Sequence, residues 1–141
     1  MLTTLAELDG VLPKKMEAKL RMVAKKIRGM YKMALEKGVT IAMGTDTQPG
    51  HLDASEIAFA VRMGMTTLQA IKAATATPPL TLGRQAPKSG QLKVGYDADI
   101  LGLTENPIED IAVLNKTENI KWVWKGGKLY KGPNVGPWGE E

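Results

Sequence analysis

Val39-Thr40-Ile41-Ala42-Met43-Gly44-Thr45-Asp46 is the stretch from which the fold can be read. Val39, Ile41 and Met43 alternate with Thr40 and Ala42, and no charge falls within the run. A short charge-free run of this kind predicts a strand buried on both faces, with one bulky and one small side, as in a parallel sheet. Gly44 permits a tight turn, and Asp46 follows just past the strand's C-terminal end. In α/β barrels and open α/β sheets, ligands and catalytic groups collect at that end. Asp46 is therefore a candidate catalytic carboxylate. The plainer alternative is that it only caps the following loop, as Asp often does.

Upstream lies a strongly helical pattern from Lys14 to Lys37. Met16, Leu20, Val23, Ile27, Met30, Tyr31, Ala34 and Leu35 recur at three- and four-residue steps. Pro13 stands where a helix can start and Gly38 where one should stop. Helix, one glycine and a buried strand make the αβ half of a βαβ unit. Residues 1–13 carry little signal beyond Leu2, Leu5 and Leu8 and a break at Asp9-Gly10.

Downstream, Pro49-Gly50 carries turn chemistry, and Asp53 with Glu56 fits an N-cap and its capping-box partner. Ile57, Ala58 and Val61 give a short helix that Gly64 ends. Thr66 with Gln69 caps the next helix, which runs through Leu68, Ile71 and Ala74 until Pro78-Pro79. His51 and Glu56 both lie near the mouth of the strand. His51 is a candidate substrate-binding residue or an exposed loop residue, and Glu56 a ligand contact or a cap.

From about Pro87 the texture becomes β-rich. Gln91–Tyr96 and Ala98–Leu103 read as strands. Ile120–Lys125 and Lys128–Lys131 flank Gly126-Gly127, a strong hairpin signal. Trp122 and Trp124 share a face and should cover the sheet. Asp97 and Asp99 read as turn residues rather than metal ligands. Residues 132–141 are rich in Gly and Pro and read as a flexible tail.

Composition narrows the chemistry. The 141 residues contain no Cys and one His, which excludes disulfides and thiolate ligands and supplies a transition-metal site poorly. No apolar run reaches transmembrane length and no signal-peptide layout is present, so the cytoplasm is the expected compartment. The net charge of +4 is uneven: nine basic residues against Glu17 and Glu36 put +7 on Lys14–Lys37, leaving −3 elsewhere. Without aromatic interleaving or a base-reading motif, that helix reads as a solvated outer face, against a nucleic-acid or membrane partner.

Taken in order, these pieces resemble the C-terminal part of the amidohydrolase superfamily, in its imidazolonepropionase-like and Xaa-Pro dipeptidase-like (prolidase, ochratoxinase-type) branch. The resemblance runs from Val39 to Lys131. It rests on Gly44-Thr45-Asp46, His51 and Glu56, then Gly64-Met65-Thr66-Thr67-Leu68-Gln69-Ala70-Ile71 with Ala73-Ala74-Thr75. Leu82-Gly83, Gly90-Gln91-Leu92, Gly95-Tyr96-Asp97-Ala98-Asp99-Ile100 and Val123-Trp124-Lys125-Gly126-Gly127 follow. Each piece is weak alone; their order and spacing make the match specific.

The resemblance implies an α/β fold: a partial TIM-like (β/α)8 barrel over 1–87, its last strand and flanking helices, followed by part of a small β-sandwich over 88–131. It implies a hydrolase of amide or other C–N bonds, acting on a small-molecule amide such as a dipeptide or N-acyl amino acid. It implies a divalent metal, zinc foremost, in the complete enzyme. Asp46 would match the eighth-strand aspartate that binds metal and shuttles a proton. The family's His-x-His pair, bridging lysine and two further histidines have no counterpart here. This chain alone is therefore expected to hold no metal and to be inactive. It would be a truncated or split reading frame, a processed chain or a crystallised fragment. The expected partner is a complementing chain or further copies of itself. The alternative is a non-catalytic oligomeric or anion-binding module.

Overall fold

The computed structural model of the chain describes residues 13–44 and 54–135. Helix α1 spans Lys14–Glu36, with Pro13 at its N-cap. Pro fits there because its missing N–H would have had no helical partner. The helix ends in a Schellman motif. Gly38 takes φ +68°, its N–H donates to the Leu35 carbonyl at 3.0 Å, and Val39 N–H donates to that of Ala34 at 2.9 Å.

The α1 apolar stripe meets the α2–α3 core cluster through Tyr31 and Leu35 of its last turns, while Ala24 is buried nearer its middle. Met16, Val23, Ile27 and Met30 are exposed, as are Met22 and Met33 on the flank. The basic face is solvated as the charge pattern predicts, but much of the apolar face is solvated with it.

Residues 39–44 depart from the expected doubly buried strand. Among the described residues no strand pairs with them. Ile41 and Met43 lean on the core, whereas Thr40, Ala42 and Val39 are exposed. The two-residue alternation survives only at Ile41 and Met43, half-buried between exposed neighbours. A ladder needs a neighbouring strand, and none of the described residues supplies one.

Helix α2 (Ser55–Arg62) and helix α3 (Thr67–Ala74) pack through alanines. Ala60 and Ala70 are fully buried, with Ala73 and Met65 beside them. Small side chains let two helix backbones approach closely. The α3 cap is the predicted one: Gln69 N–H donates to Thr66 Oγ1 at 3.2 Å, and Thr66 N–H donates to Gln69 Oε1 at 2.9 Å. The α2 cap is not. Ala54 occupies the N-cap position with no side-chain bond, and Asp53 lies outside the described residues. α3 also stops earlier than expected, at Ala74, and Pro78–Gln85 continues as 3-10 turns.

Gln91–Tyr96, expected as a strand, is not one. Tyr96 N–H donates to the Lys93 carbonyl at 3.0 Å, closing a turn, and Leu92 and Val94 are exposed. Alternation there has no sheet to satisfy it. The true sheet is antiparallel, in the order β1 (Ile100–Leu103), β2 (Ile120–Lys125), β3 (Lys128–Lys131). Gly126 and Gly127 make the β2–β3 turn with φ of +56° and +80°, the positive pair of a type I′ hairpin. Asp99 caps that turn, its Oδ1 accepting from Gly126 N–H at 2.8 Å.

Trp122 lies directly opposite Gly102. Its ring and Cβ cover the space a side chain there would need. The tryptophan thus covers sheet, as its spacing predicts.

A 3-10 segment, Ile111–Asn115, joins the two halves. Its Val113 is the largest fully buried side chain, worth about 1.5–3 kcal/mol, and the segment contacts α2. Thr67 Oγ1 donates to the Ile108 carbonyl at 2.9 Å, tying α3 to the loop before that segment.

Candidate functional site

The site is organised by the end of the 39–44 segment. The Schellman motif fixes where the chain leaves α1. Ile41 and Met43 then anchor it to the cluster of Ala60, Met65, Ala70 and Ala73. Met43 N–H donates to the Ala73 carbonyl at 2.8 Å, pinning the segment to the last turn of α3. Gly44, exposed, is the last described residue before Ala54. Asp46 and His51, the two site candidates, lie outside the described residues. Glu56 sits half-buried in the first turn of α2.

Tyr31 O–H donates to the Met65 sulfur at 3.6 Å, and its ring meets Phe59 edge-on with centroids 6.2 Å apart. Burial pushes the Tyr31 phenol above its ordinary value, because the phenolate would be poorly solvated there.

The donor set that the described residues offer is sparse. Cysteine is absent, His51 is the single histidine, and no group of three or more His, Asp or Glu among the described residues could hold an ion. Asp97 and Asp99 lie outside any turn of their own: Asp97 N–H donates to the Lys88 carbonyl, and Asp99 caps the distant β2–β3 hairpin. Among the described residues no helix is long and apolar enough to cross a membrane.

Two surface features had no sequence motif to announce them. A pocket between α1 and the end of α2 gathers Arg28, Lys32 and Arg62. A groove follows the α3 C-terminus, lined by Thr75, Pro78, Leu82, Ser89 and Asp99. Both depend on residues that are distant in sequence, so no local spacing reveals them.

The amidohydrolase family model matches residues 3–130. Ochratoxinase of Aspergillus niger is 55% identical over 131 residues, covering 92% of this chain and 27% of that protein. Its crystal structure superposes with a TM-score of 0.89 at 52% identity, over 99% of this chain and 32% of that one. The crystal structure of a Xaa-Pro dipeptidase with bound methionine in its active site gives 0.74 at 35% identity, over 93% and 32%. Imidazolonepropionase of Rhodococcus jostii (strain RHA1) is 38% identical over 100 residues, covering 67% of this chain and 24% of that protein. The chain thus spans between a quarter and a third of these relatives. Its helices and small antiparallel sheet follow an amidohydrolase-like fold over nearly their whole extent, and the chain belongs to the amidohydrolase family.

Proposed function

We propose that this chain is the C-terminal segment of an amidohydrolase that cleaves an amide or other C–N bond, and that it works only when the rest of the domain is supplied. The observation that carries this is the superposition on ochratoxinase, which covers 99% of this chain but 32% of that structure. In this reading 1–87 forms the last part of a TIM-like barrel and 88–131 part of a β-sandwich. Segment 39–44 is then the final barrel strand, and its bare side takes a neighbouring strand from the rest of the barrel. The expected compartment is the cytoplasm.

Asp46 is the residue we assign to the chemistry. Its carboxylate takes a proton from the attacking water as oxygen adds to the amide carbon. It then gives that proton to the nitrogen as the C–N bond breaks, leaving acid and amine. His51 would contact the substrate beside it. A divalent metal, zinc foremost, would need most of its ligands from outside this chain. The bound methionine of the related Xaa-Pro dipeptidase supports an amino-acid-containing substrate, such as a dipeptide or N-acyl amino acid.

The test is a native mass spectrum of the purified particle, with metal read from the same mass. A second, larger chain with bound metal, and hydrolysis lost on Asp46→Asn without loss of assembly, is the expected result. A metal-free monomer or homo-oligomer of the 15.3 kDa chain that gains neither metal nor hydrolysis when an N-terminal amidohydrolase portion is added would overturn it.

A further inference from the structure

We propose that the pocket between α1 and the end of α2 binds a phosphate-type polyanion. This inference is independent of the hydrolytic reading. The pocket, about 440 Å³, is lined by Arg28, Gly29, Lys32, Arg62, Met63 and Gly64. Three cationic residues line it and no carboxylate does. None of the three has an ion-pair or hydrogen-bond partner among the described residues.

Elsewhere on the same helix, the geometry is different. Arg21 is paired with Glu17 at 2.9 Å, one turn away. Arg28 and Lys32 are also one turn apart, but both are basic, so they repel rather than pair. Arg62, brought in from α2, adds a third like charge. A bound anion would relieve that repulsion and so favour the folded chain.

Gly29 lies mid-helix in α1, where a Cβ would meet nothing within 4 Å, so the pocket wall is open there. Met63 and Gly64 turn their N–H groups inward, to Phe59 and Val61 carbonyls at 2.9 and 3.0 Å. The anion is therefore held by side chains alone. Two guanidinium forks suit an oxyanion with several oxygens, and the ammonium adds a point charge. A single carboxylate would offset only part of a threefold positive charge, which is why a multiply charged phosphoryl group fits better.

Titration of the isotope-labelled full chain with pyrophosphate at constant ionic strength tests this, following the Gly29 and Gly64 amide signals. Saturable shifts at both are expected. Arg28→Gln and Lys32→Gln, both exposed positions, should each weaken the affinity by about tenfold, the effect of losing one charge-assisted bond. Arg62→Glu, which places a carboxylate opposite Arg28, should abolish binding. Non-saturating shifts, equal affinity in the variants, or equal shifts with acetate would each overturn the proposal.

Discussion

Gly90 offers the sharpest test of how the two halves of the chain are joined. It takes φ +72°, and a Cβ there would fall 2.1 Å from the Thr75 carbonyl oxygen and 2.7 Å from its carbon. Neither neighbour is a yielding side-chain tip. Thr75 closes α3, its N–H bonded to the Lys72 carbonyl at 3.3 Å, and Thr77 N–H donates to the same carbonyl at 3.1 Å. On the other side, Asp97 N–H holds the Lys88 carbonyl at 2.7 Å. Gly90→Ala therefore meets two costs: about 1–2 kcal/mol for an L-residue at positive φ, and about 1–3 kcal/mol for overpacking against fixed backbone. Gly38→Ala separates them. Gly38 has φ +68° with nothing within 4 Å of its Cβ position, so it meets the first cost alone. Urea unfolding followed by tryptophan fluorescence reads both variants. With a slope of about 2 kcal/mol/M, Gly90→Ala should unfold about 0.5–1.5 M earlier than Gly38→Ala. Coincident midpoints would refute the close approach of segment 88–90 to the end of α3.

Thr66→Ala removes the acceptor for Gln69 N–H and should cost about 1 kcal/mol in the same assay, with Thr66→Ser restoring most of it. The Tyr31 phenol titrates above its ordinary value of 10.0 because burial disfavours the phenolate. The unfolded chain thus ionises first. Stability contributed by the neutral phenol is intact below pH 10 and falls as pH rises from there through the raised folded value. Spectrophotometric titration at high pH should show one late-ionising tyrosine, absent in Tyr31→Phe; three ordinary tyrosines would contradict the burial. Asp46→Asn should leave assembly unchanged while abolishing hydrolysis by a completed particle, and full activity would remove Asp46 from the chemistry.

Where a signal was local, the sequence alone was enough. Pro13 and Gly38 bound α1, Thr66 and Gln69 cap α3, and Gly126-Gly127 turns the hairpin. Each rests on backbone geometry and hydrogen bonds within a few residues, or across one tight turn. The order of the motifs likewise carried the family. What the sequence could not determine were properties that belong to pairs of distant segments. The alternation in Val39–Met43 predicts a strand, but a strand exists only with a neighbour, and among the described residues none adjoins it. Gln91–Tyr96 alternates too, yet it turns back at Lys93–Tyr96 and pairs with nothing. Only tertiary structure set Trp122 over Gly102, Thr67 onto Ile108, and Arg62 beside Arg28 and Lys32. Asp46 and His51 remain assignments from motif order. Periodicity records which face of a segment is apolar; which other segment meets that face is decided by the closure of the whole chain.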